Sequence, residues 1–120
     1  MYAVLRRYTK AAKLVEAMER RSQEVEQILS SVPGFVAYHA IRSGDTLVTV
    51  SVCRDQSGTD ETTHRAAQWV RENVLTGAPG APEITGGEVL LDFSASQKAG
   101  AYASATATSR PADSSARPPA

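Results

Sequence analysis

The sequence predicts an α+β domain whose elements follow the order β-α-β-β-α-β, the split βαβ or ferredoxin-like arrangement. Three observations lead to this prediction. Two stretches repeat their apolar residues at steps of three and four, as amphipathic helices do. Residues 46–54 alternate between apolar and small polar side chains, as a strand does. Segments rich in glycine and proline separate these stretches. We therefore expect a four-stranded antiparallel sheet with two helices on one face.

A change of period near Lys10 separates the first strand from the first helix. Residues 2–8 are rich in β-forming side chains and predict a strand. From Lys10 onward the spacing becomes helical over roughly 20 residues. Pro33 and Gly34 end the helix, because proline disfavours helical geometry in the residue before it. The expected apolar stripe consists of Ala11, Leu14, Val15, Met18, Val25, Ile28, Leu29 and Val32.

Residues 35–42 and 46–54 are predicted to pair as the second and third strands, joined by a turn at residues 43–45. The third strand has two distinct faces. One carries Val48, Val50 and Val52, and the other carries Thr49, Ser51 and Cys53. We expect the valine face to pack in a core and the small polar face to border a cavity.

The second helix is predicted to begin near residues 57–60. A serine or threonine there can cap it, and Asp60 and Glu61 suit the positive end of the helix dipole. Trp69 is expected at the edge of the buried stripe. That stripe consists of Ala66, Ala67, Val70 and Val74.

The last strand is predicted at residues 84–93, with an irregularity at Gly86 and Gly87. After Phe93 the chain consists almost entirely of Ala, Ser, Thr, Pro and Gly. Such a composition cannot bury enough apolar surface to offset the entropy of ordering. We therefore expect a domain at residues 1–93 and a disordered tail at residues 94–120.

The composition argues against several classes of function. The 120 residues include 13 basic and 13 acidic side chains, so the basic stripe expected of a nucleic-acid-binding protein is missing. No apolar run is long enough to cross a membrane, and the first residues do not follow the pattern of a signal peptide. We therefore expect a cytoplasmic protein with no membrane partner. Cys53 is the single cysteine, and His39 and His64 have no second ligand at metal-binding spacing, so no metal site is expected.

Apolar residues on both faces of the first and last strands predict a homodimer. Val4 and Leu5 point to opposite faces, as do Leu90 and Leu91. Two helices cover only one face of the sheet, and a solvated second face would be more polar. Packing two sheets face to face would bury these residues and enclose a space. We therefore expect a dimeric α/β barrel.

Four segments of the chain carry a resemblance to a known family. They are Pro33-Gly34-Phe35-Val36-Ala37-Tyr38, Leu47-Val48-Thr49-Val50-Ser51-Val52, Ala66-Ala67-Gln68-Trp69-Val70-Arg71-Glu72-Asn73 and Gly87-Glu88-Val89. Together they resemble the dimeric α/β-barrel superfamily, and within it the antibiotic biosynthesis monooxygenase-like (ABM-like) proteins. The resemblance covers about residues 2–93 and implies a homodimer around a small-molecule cavity. Some members oxidise aromatic polyketides or quinols with dioxygen and no cofactor, others degrade haem, and many have no known activity.

The resemblance implies that Trp69 lines the cavity from the second helix. Catalytic members carry an asparagine four residues before this tryptophan, where the present chain has Arg65. Trp69 and Arg65 are therefore candidate catalytic residues. The alternative for Trp69 is plain packing beside the core.

His39 is the third candidate catalytic residue. Alternation along the strand sends His39 and Tyr38 to opposite faces, so only one of the two can face the cavity. A cavity histidine could hold a proton near neutral pH, whereas the alternative is an ordinary strand histidine. Tyr38, Thr49 and Ser51 form the predicted ligand-binding set.

Arg6 and Arg7 also point to opposite faces of their strand. An arginine at the mouth of the barrel could bind an anionic or carbonyl-bearing ligand. The alternative is a role in edge-strand solubility or in an ion pair between subunits.

The residues leave three functions open. The first is cofactor-independent oxidation of a small aromatic substrate, against which the missing asparagine weighs. The second is a non-catalytic, small-molecule-binding or stress-related homodimer. The third is a structural dimer with a filled barrel, against which the small side chains of Thr49 and Ser51 weigh, because they leave room for a ligand.

Overall fold

The computed structural model describes residues 1–95 of the chain. Its elements are β1 (Tyr2–Tyr8), α1 (Ala12–Arg20), α2 (Ser22–Ser30), β2 (Phe35–Ser43), β3 (Thr46–Cys53), α3 (Gln56–Asn73) and β4 (Glu83–Glu88). The predicted order is confirmed, with the first helical region divided in two. A separate unit begins at Leu90, and its described residues, 90–95, form neither helix nor strand. From residue 96 onward the predicted tail lies outside the described residues.

The division between α1 and α2 falls at Arg21, whose backbone leaves helical geometry (φ −122°, ψ 36°). Its guanidinium donates to Glu24 at 3.3 Å and to Asn73 at 3.0 Å. Neither proline nor glycine lies near this break, so the sequence carries none of the usual signals for it. The contact with Asn73 ties the break to the last turn of α3.

The sheet is antiparallel throughout, in the order β2-β3-β1-β4. β1 is therefore a central strand, and the edge-strand role considered for its two arginines does not apply. Arg7 instead faces β4 and forms an exposed ion pair with Glu83 at 3.6 Å. The bulge in the sheet lies in β2, between Phe35 and Ala37.

The last strand ends earlier than predicted, at Glu88. Glu88 pairs with Tyr2, the first residue of β1, so the partner strand is exhausted there. Leu90 and Leu91, which entered the argument for a dimer, therefore lie outside the sheet. The register also runs evenly through Gly86 and Gly87, so the irregularity predicted there is wrong.

The valine face of β3 does not pack in the core, contrary to the prediction, whereas the small polar face does border a cavity, through Thr49. Thr49, Ser51 and Cys53 are buried on the face that the helices cover, called here the helix side. Val48, Val50 and Val52 are only half-buried and lie on the other face, called here the open face. The polar row is tolerated on the helix side because its hydroxyls accept hydrogen bonds from a buried arginine, described below.

The core lies on the helix side and is centred on Trp69, whose side chain is 6% exposed and not at the edge of the stripe as predicted. Ala67, expected in that stripe, is exposed. α3 is capped by Asp55, which accepts from the backbone N–H of Gly58 at 3.0 Å. The buried core consists of Tyr8, Ala11, Leu14, Val15, Ala17, Leu47, Trp69 and Val74. Within the described residues, no helix is long and apolar enough to span a membrane.

Candidate functional site

A small inner cavity lies between the helices and the sheet. Its volume is about 20 Å³, which is room for about one water molecule. The wall is mostly apolar, with a few polar groups from the strands and from α3. The lining residues are Tyr8, Leu14, Met18, Val25, Ile28, Leu29, Tyr38, Leu47, Thr49, Arg65, Ala66, Trp69 and Val70.

A larger outer groove adjoins the inner cavity, between the α1–α2 pair and β2. Its volume is about 580 Å³, within the range of small-molecule sites. The side chains of Met18, Val25, Leu29, Tyr38 and Leu47 line both spaces and therefore separate them. The groove and the cavity together form a mostly apolar site. Charged side chains of Glu19, Glu26 and Arg42 line the outer groove, and the polar groups of Tyr38, Thr49 and Trp69 line the inner cavity.

Trp69 supplies the least satisfied group of this site. Among the described residues, its Nε1 is the one buried side-chain nitrogen or oxygen without a hydrogen-bond partner. An indole N–H can only donate, so it needs an acceptor. Buried polar groups are nearly always paired, so an exception calls for an explanation, such as a bound water, an ion or a catalytic role.

Tyr38, rather than His39, lies at the wall of the cavity. Tyr38 pairs in register with Ser51, on the helix side, and lines both the cavity and the groove. His39 pairs with Val50 and is exposed on the open face. Burial raises the pKa of Tyr38 to about 12, opposed by the positive charge of Arg6. The phenol therefore stays protonated at neutral pH and can donate a hydrogen bond.

Arg65 lines the cavity, but its guanidinium is engaged elsewhere. Its Nη1 donates to the carbonyl of Ile28 and to the hydroxyl of Ser31, each at 2.9 Å. Its Nε donates to Glu61 at 2.8 Å. Arg65 therefore caps the end of α2 and ties it to α3.

Thr49 and Ser51, the other predicted ligand-binding residues, both accept hydrogen bonds from Arg6, at 2.9 and 3.0 Å. Thr49 also lines the inner cavity, whereas Ser51 lines neither the cavity nor the groove. Thr62 and Thr63 of α3 accept from the same guanidinium, at 2.9 and 3.1 Å. Sequence reasoning missed this arrangement, because only the register between β1 and β3 places Arg6 opposite Thr49.

The remaining candidate groups lie away from the cavity. His64 is exposed on α3. Cys53 is fully buried, and burial raises the pKa of its thiol, which makes it a poor nucleophile. The described residues contain no group of three or more His, Cys, Asp or Glu side chains that could hold a metal ion.

Comparison with solved structures identifies the fold. A protein of unknown function from Nitrosomonas europaea matches with a TM-score of 0.61 and 19% identity, over 79% of this chain and 94% of that one. A monooxygenase from the gene ActVA-Orf6 of Streptomyces coelicolor, in complex with nanaomycin D, matches with a TM-score of 0.59 and 16% identity, over 79% and 92%. SnoaB, a cofactor-independent oxygenase from Streptomyces nogalater, matches with a TM-score of 0.56 and 15% identity, over 77% and 95%. The chain has the fold of the antibiotic biosynthesis monooxygenase proteins.

The resemblance seen in the sequence is thus confirmed at the level of the fold. No family model matches the chain, and no curated protein matches it either. In this chain the position four residues before Trp69 is held by Arg65, whose guanidinium joins two helices. The part of the site that differs from the catalytic pattern is therefore a residue with a structural task.

Proposed function

We propose that this chain binds a small aromatic molecule on the helix side of its sheet and oxidises it with dioxygen, without a cofactor, as a homodimer. The observation that carries the proposal is the buried, unpartnered Nε1 of Trp69 beside an apolar cavity. Leaving a buried donor unpaired costs about 1–3 kcal/mol. An oxygen atom of a ligand at this point would accept the hydrogen bond and recover that cost.

The shape of the site suggests how such a ligand would lie. The outer groove, of about 580 Å³, is wide enough for aromatic rings and is largely apolar. The inner cavity, of about 20 Å³, fits a single oxygen-bearing group. Tyr38 borders both spaces and can donate a second hydrogen bond beside Trp69. A planar molecule with a carbonyl or hydroxyl at one end matches this polarity.

The proposed reaction balances without an additional reductant. In an anthrone, the reactive methylene carbon loses both hydrogen atoms and gains one oxygen atom from dioxygen, and the second oxygen atom leaves as water. All electrons come from the substrate, so the protein needs only to orient the substrate and exclude bulk water. The two Streptomyces proteins of this fold, one a monooxygenase and one a cofactor-independent oxygenase, support this assignment.

The open face supports the homodimer. Leu5 and Ile41 on this face are 43% and 53% exposed, and the three valines of β3 lie among them half-buried. A contiguous apolar patch of this kind on a sheet marks an interaction surface. In the proposed dimer His39 would face the partner's sheet rather than the ligand cavity of its own chain.

A second candidate function, ligand binding without catalysis, is favoured by Arg65. This side chain stands where catalytic members carry an asparagine and is held by Glu61 and by the end of α2. It therefore offers the ligand a closed wall rather than a free polar group. The site could then hold a small aromatic molecule without promoting its oxidation.

One experiment separates the two candidates. Trp69 is the single tryptophan, so its fluorescence reports directly on occupation of the cavity. A panel of anthrones and quinols would be tested for quenching of this fluorescence and for oxygen uptake, with Trp69→Phe as the variant and Tyr2→Phe as a control outside the cavity. We expect oxygen uptake to fall at least about tenfold in Trp69→Phe, since an oriented donor is lost, and to stay unchanged in Tyr2→Phe.

The outcomes are distinct. Quenching without oxygen uptake on any substrate would contradict the proposed oxidation and support ligand binding without catalysis. Absence of quenching by every compound would reject a ligand site on the helix side. A further variant, Arg65→Asn, restores the residue of the catalytic pattern. Any rise in turnover that it causes would show that Arg65 limits catalysis.

A further inference from the structure

Arg6 is the largest fully buried side chain in the described residues, with 1% of its surface exposed. Its guanidinium donates to four hydroxyls, those of Thr49, Ser51, Thr62 and Thr63, called here the hydroxyl cluster. Among the described residues, no carboxylate forms an ion pair with it. A buried charge in a protein is usually paired with an opposite charge. Here the partners are neutral dipoles, so the positive charge itself remains uncompensated.

This charge is permanent at working pH. Burial lowers the pKa of Arg6, but a guanidinium in a protein does not lose its proton near neutrality. Retaining such a group in a core is costly, because a hydrophobic side chain of similar volume would commonly be more stable. The position therefore calls for a role beyond packing.

The guanidinium lies directly behind the wall of the inner cavity. Its Nη1 donates to Thr49, which lines that cavity. Four of its five N–H groups are used by the hydroxyl cluster, and the remaining one also belongs to Nη1. The positive charge of Arg6 also acts on Tyr38 and Tyr8, since it opposes the rise in the pKa of each. Both tyrosines line the cavity.

Among the residues that line the inner cavity, no charged or titratable group cancels this field; the carboxylates of Glu19 and Glu26 and the guanidinium of Arg42 line the outer groove instead. β1 contributes Tyr8 and β2 contributes Tyr38, both neutral at pH 7, and α3 contributes Arg65, paired with Glu61. The lining residues from α1, α2 and β3 carry no titratable group, and the described lining includes no carboxylate. The inner end of the site is therefore positive and rich in hydrogen-bond donors.

We propose that Arg6 determines the specificity of this site, so that it binds an acidic phenol or enol as the oxyanion, with the charged oxygen in the inner cavity. This inference rests on the proposed ligand site on the helix side. On binding, the ligand's O–H bond breaks, its electron pair stays on the oxygen, and the proton passes to solvent. Arg6 does not touch the ligand; it acts through Thr49 and through its field. Trp69 and Tyr38 donate to the oxyanion directly.

The test uses 4-nitrophenol, whose phenolate absorbs visible light and whose free pKa lies near neutrality, and 4-nitroanisole, its methyl ether, which cannot ionise. Binding of both to the full chain is followed by quenching of Trp69 fluorescence. The pKa of bound 4-nitrophenol is then read from its absorbance as a function of pH. For the wild type we expect this pKa to lie below the free value.

Arg6→Met and Arg6→Lys are the matched variants, because both keep an extended side chain but only lysine keeps the charge. In Arg6→Met we expect the bound pKa to rise by about one unit, a tenfold change in phenolate affinity, with the affinity for 4-nitroanisole unchanged. Arg6→Lys should retain most of the wild-type shift. A purely structural role for Arg6 would alter the binding of both probes equally.

Each outcome bears on a different claim. If 4-nitroanisole binds but the wild-type bound pKa equals or exceeds the free value, the specificity proposal is overturned while the ligand site stands. This comparison needs no variant, so it holds even if Arg6→Met does not fold. An equal bound pKa in wild type and a folded Arg6→Met also overturns it. If neither probe binds, the proposed ligand site fails, and the specificity proposal with it.

Discussion

The helix side of the sheet is buried yet contains polar groups, whereas the open face is uncovered yet carries apolar side chains. The helix side, buried under three helices, contains an arginine and four hydroxyls beside its apolar core. The open face, which the chain's own helices leave uncovered, presents leucine, isoleucine and valine. The polar groups are satisfied within the chain, whereas the apolar groups are not. The proposed ligand site thus lies on one face and the proposed dimer interface on the other.

The largest effect is expected from a charge on the open face. Val50 lies at its centre, paired in register with Leu5 and His39. In Val50→Glu the new carboxylate would be desolvated in the proposed dimer interface, at a cost of several kcal/mol. We expect a particle of twice the 12.8 kDa chain mass for the wild type and a monomer for the variant. Sedimentation or light scattering measures this directly.

Gln23→Glu is the matched control for that experiment, since it adds the same charge to an exposed position on α2. It should leave the dimer intact. A dimer in Val50→Glu would show that the open face is not the interface. A monomeric wild type would contradict the predicted dimeric barrel.

A second prediction compares two neighbouring arginines, one on each face. Arg6→Ala removes a fully buried side chain and the shared partner of the hydroxyl cluster, so we expect a loss of about 3 kcal/mol in the free energy of unfolding. Arg7→Ala removes an ion pair with Glu83 that is exposed in the single chain, where such a pair contributes at most about 1 kcal/mol. Urea denaturation of both variants gives the two values. Equal losses would mean that the hydroxyl cluster adds nothing to stability.

The contrast between the faces also shows what the sequence could predict. Alternation correctly groups Val48, Val50 and Val52 on one face and Thr49, Ser51 and Cys53 on the other. It does not say which face meets the helices, and hydrophobicity alone favours the wrong one. That choice depends on Arg6, whose partners lie 43 to 57 residues away along the chain. Contacts at such separations exist only once the sheet and α3 have assembled.

The candidate site was predictable to a similar degree. Trp69 followed from the family resemblance, and the structure places it at the cavity. The choice between Tyr38 and His39 needed the register with β3, which a bulge near Val36 shifts. The hydrogen bond from Arg65 to Ile28 depends on where α2 ends. The position of α2 depends in turn on the helix break at Arg21, which no proline or glycine in the sequence indicates. Local pattern was enough for the elements, but not for the side chains that they bring together.

The smallest predicted effect concerns the helix side at high pH. An unfolded tyrosine ionises near pH 10, whereas Tyr38 in the folded chain keeps its proton until about pH 12 because it is buried. The folded state therefore holds one more proton across this window, and stability falls as the pH rises through it. The loss attributable to Tyr38 is at most about 1.4 kcal/mol per pH unit, and none is expected below pH 9.

Denaturation series from pH 8 to 12 would measure this slope in the wild type and in Tyr38→Phe, which keeps the ring but cannot ionise. Tyr8 on the same side also has a raised pKa. The free energy of unfolding of Tyr38→Phe should therefore still fall as the pH rises, but less steeply than that of the wild type. An unchanged slope in Tyr38→Phe would mean that Tyr38 ionises as readily in the folded chain as in the unfolded one. Its phenol would then reach solvent through the outer groove, and the inner cavity could not keep a ligand's oxygen apart from water.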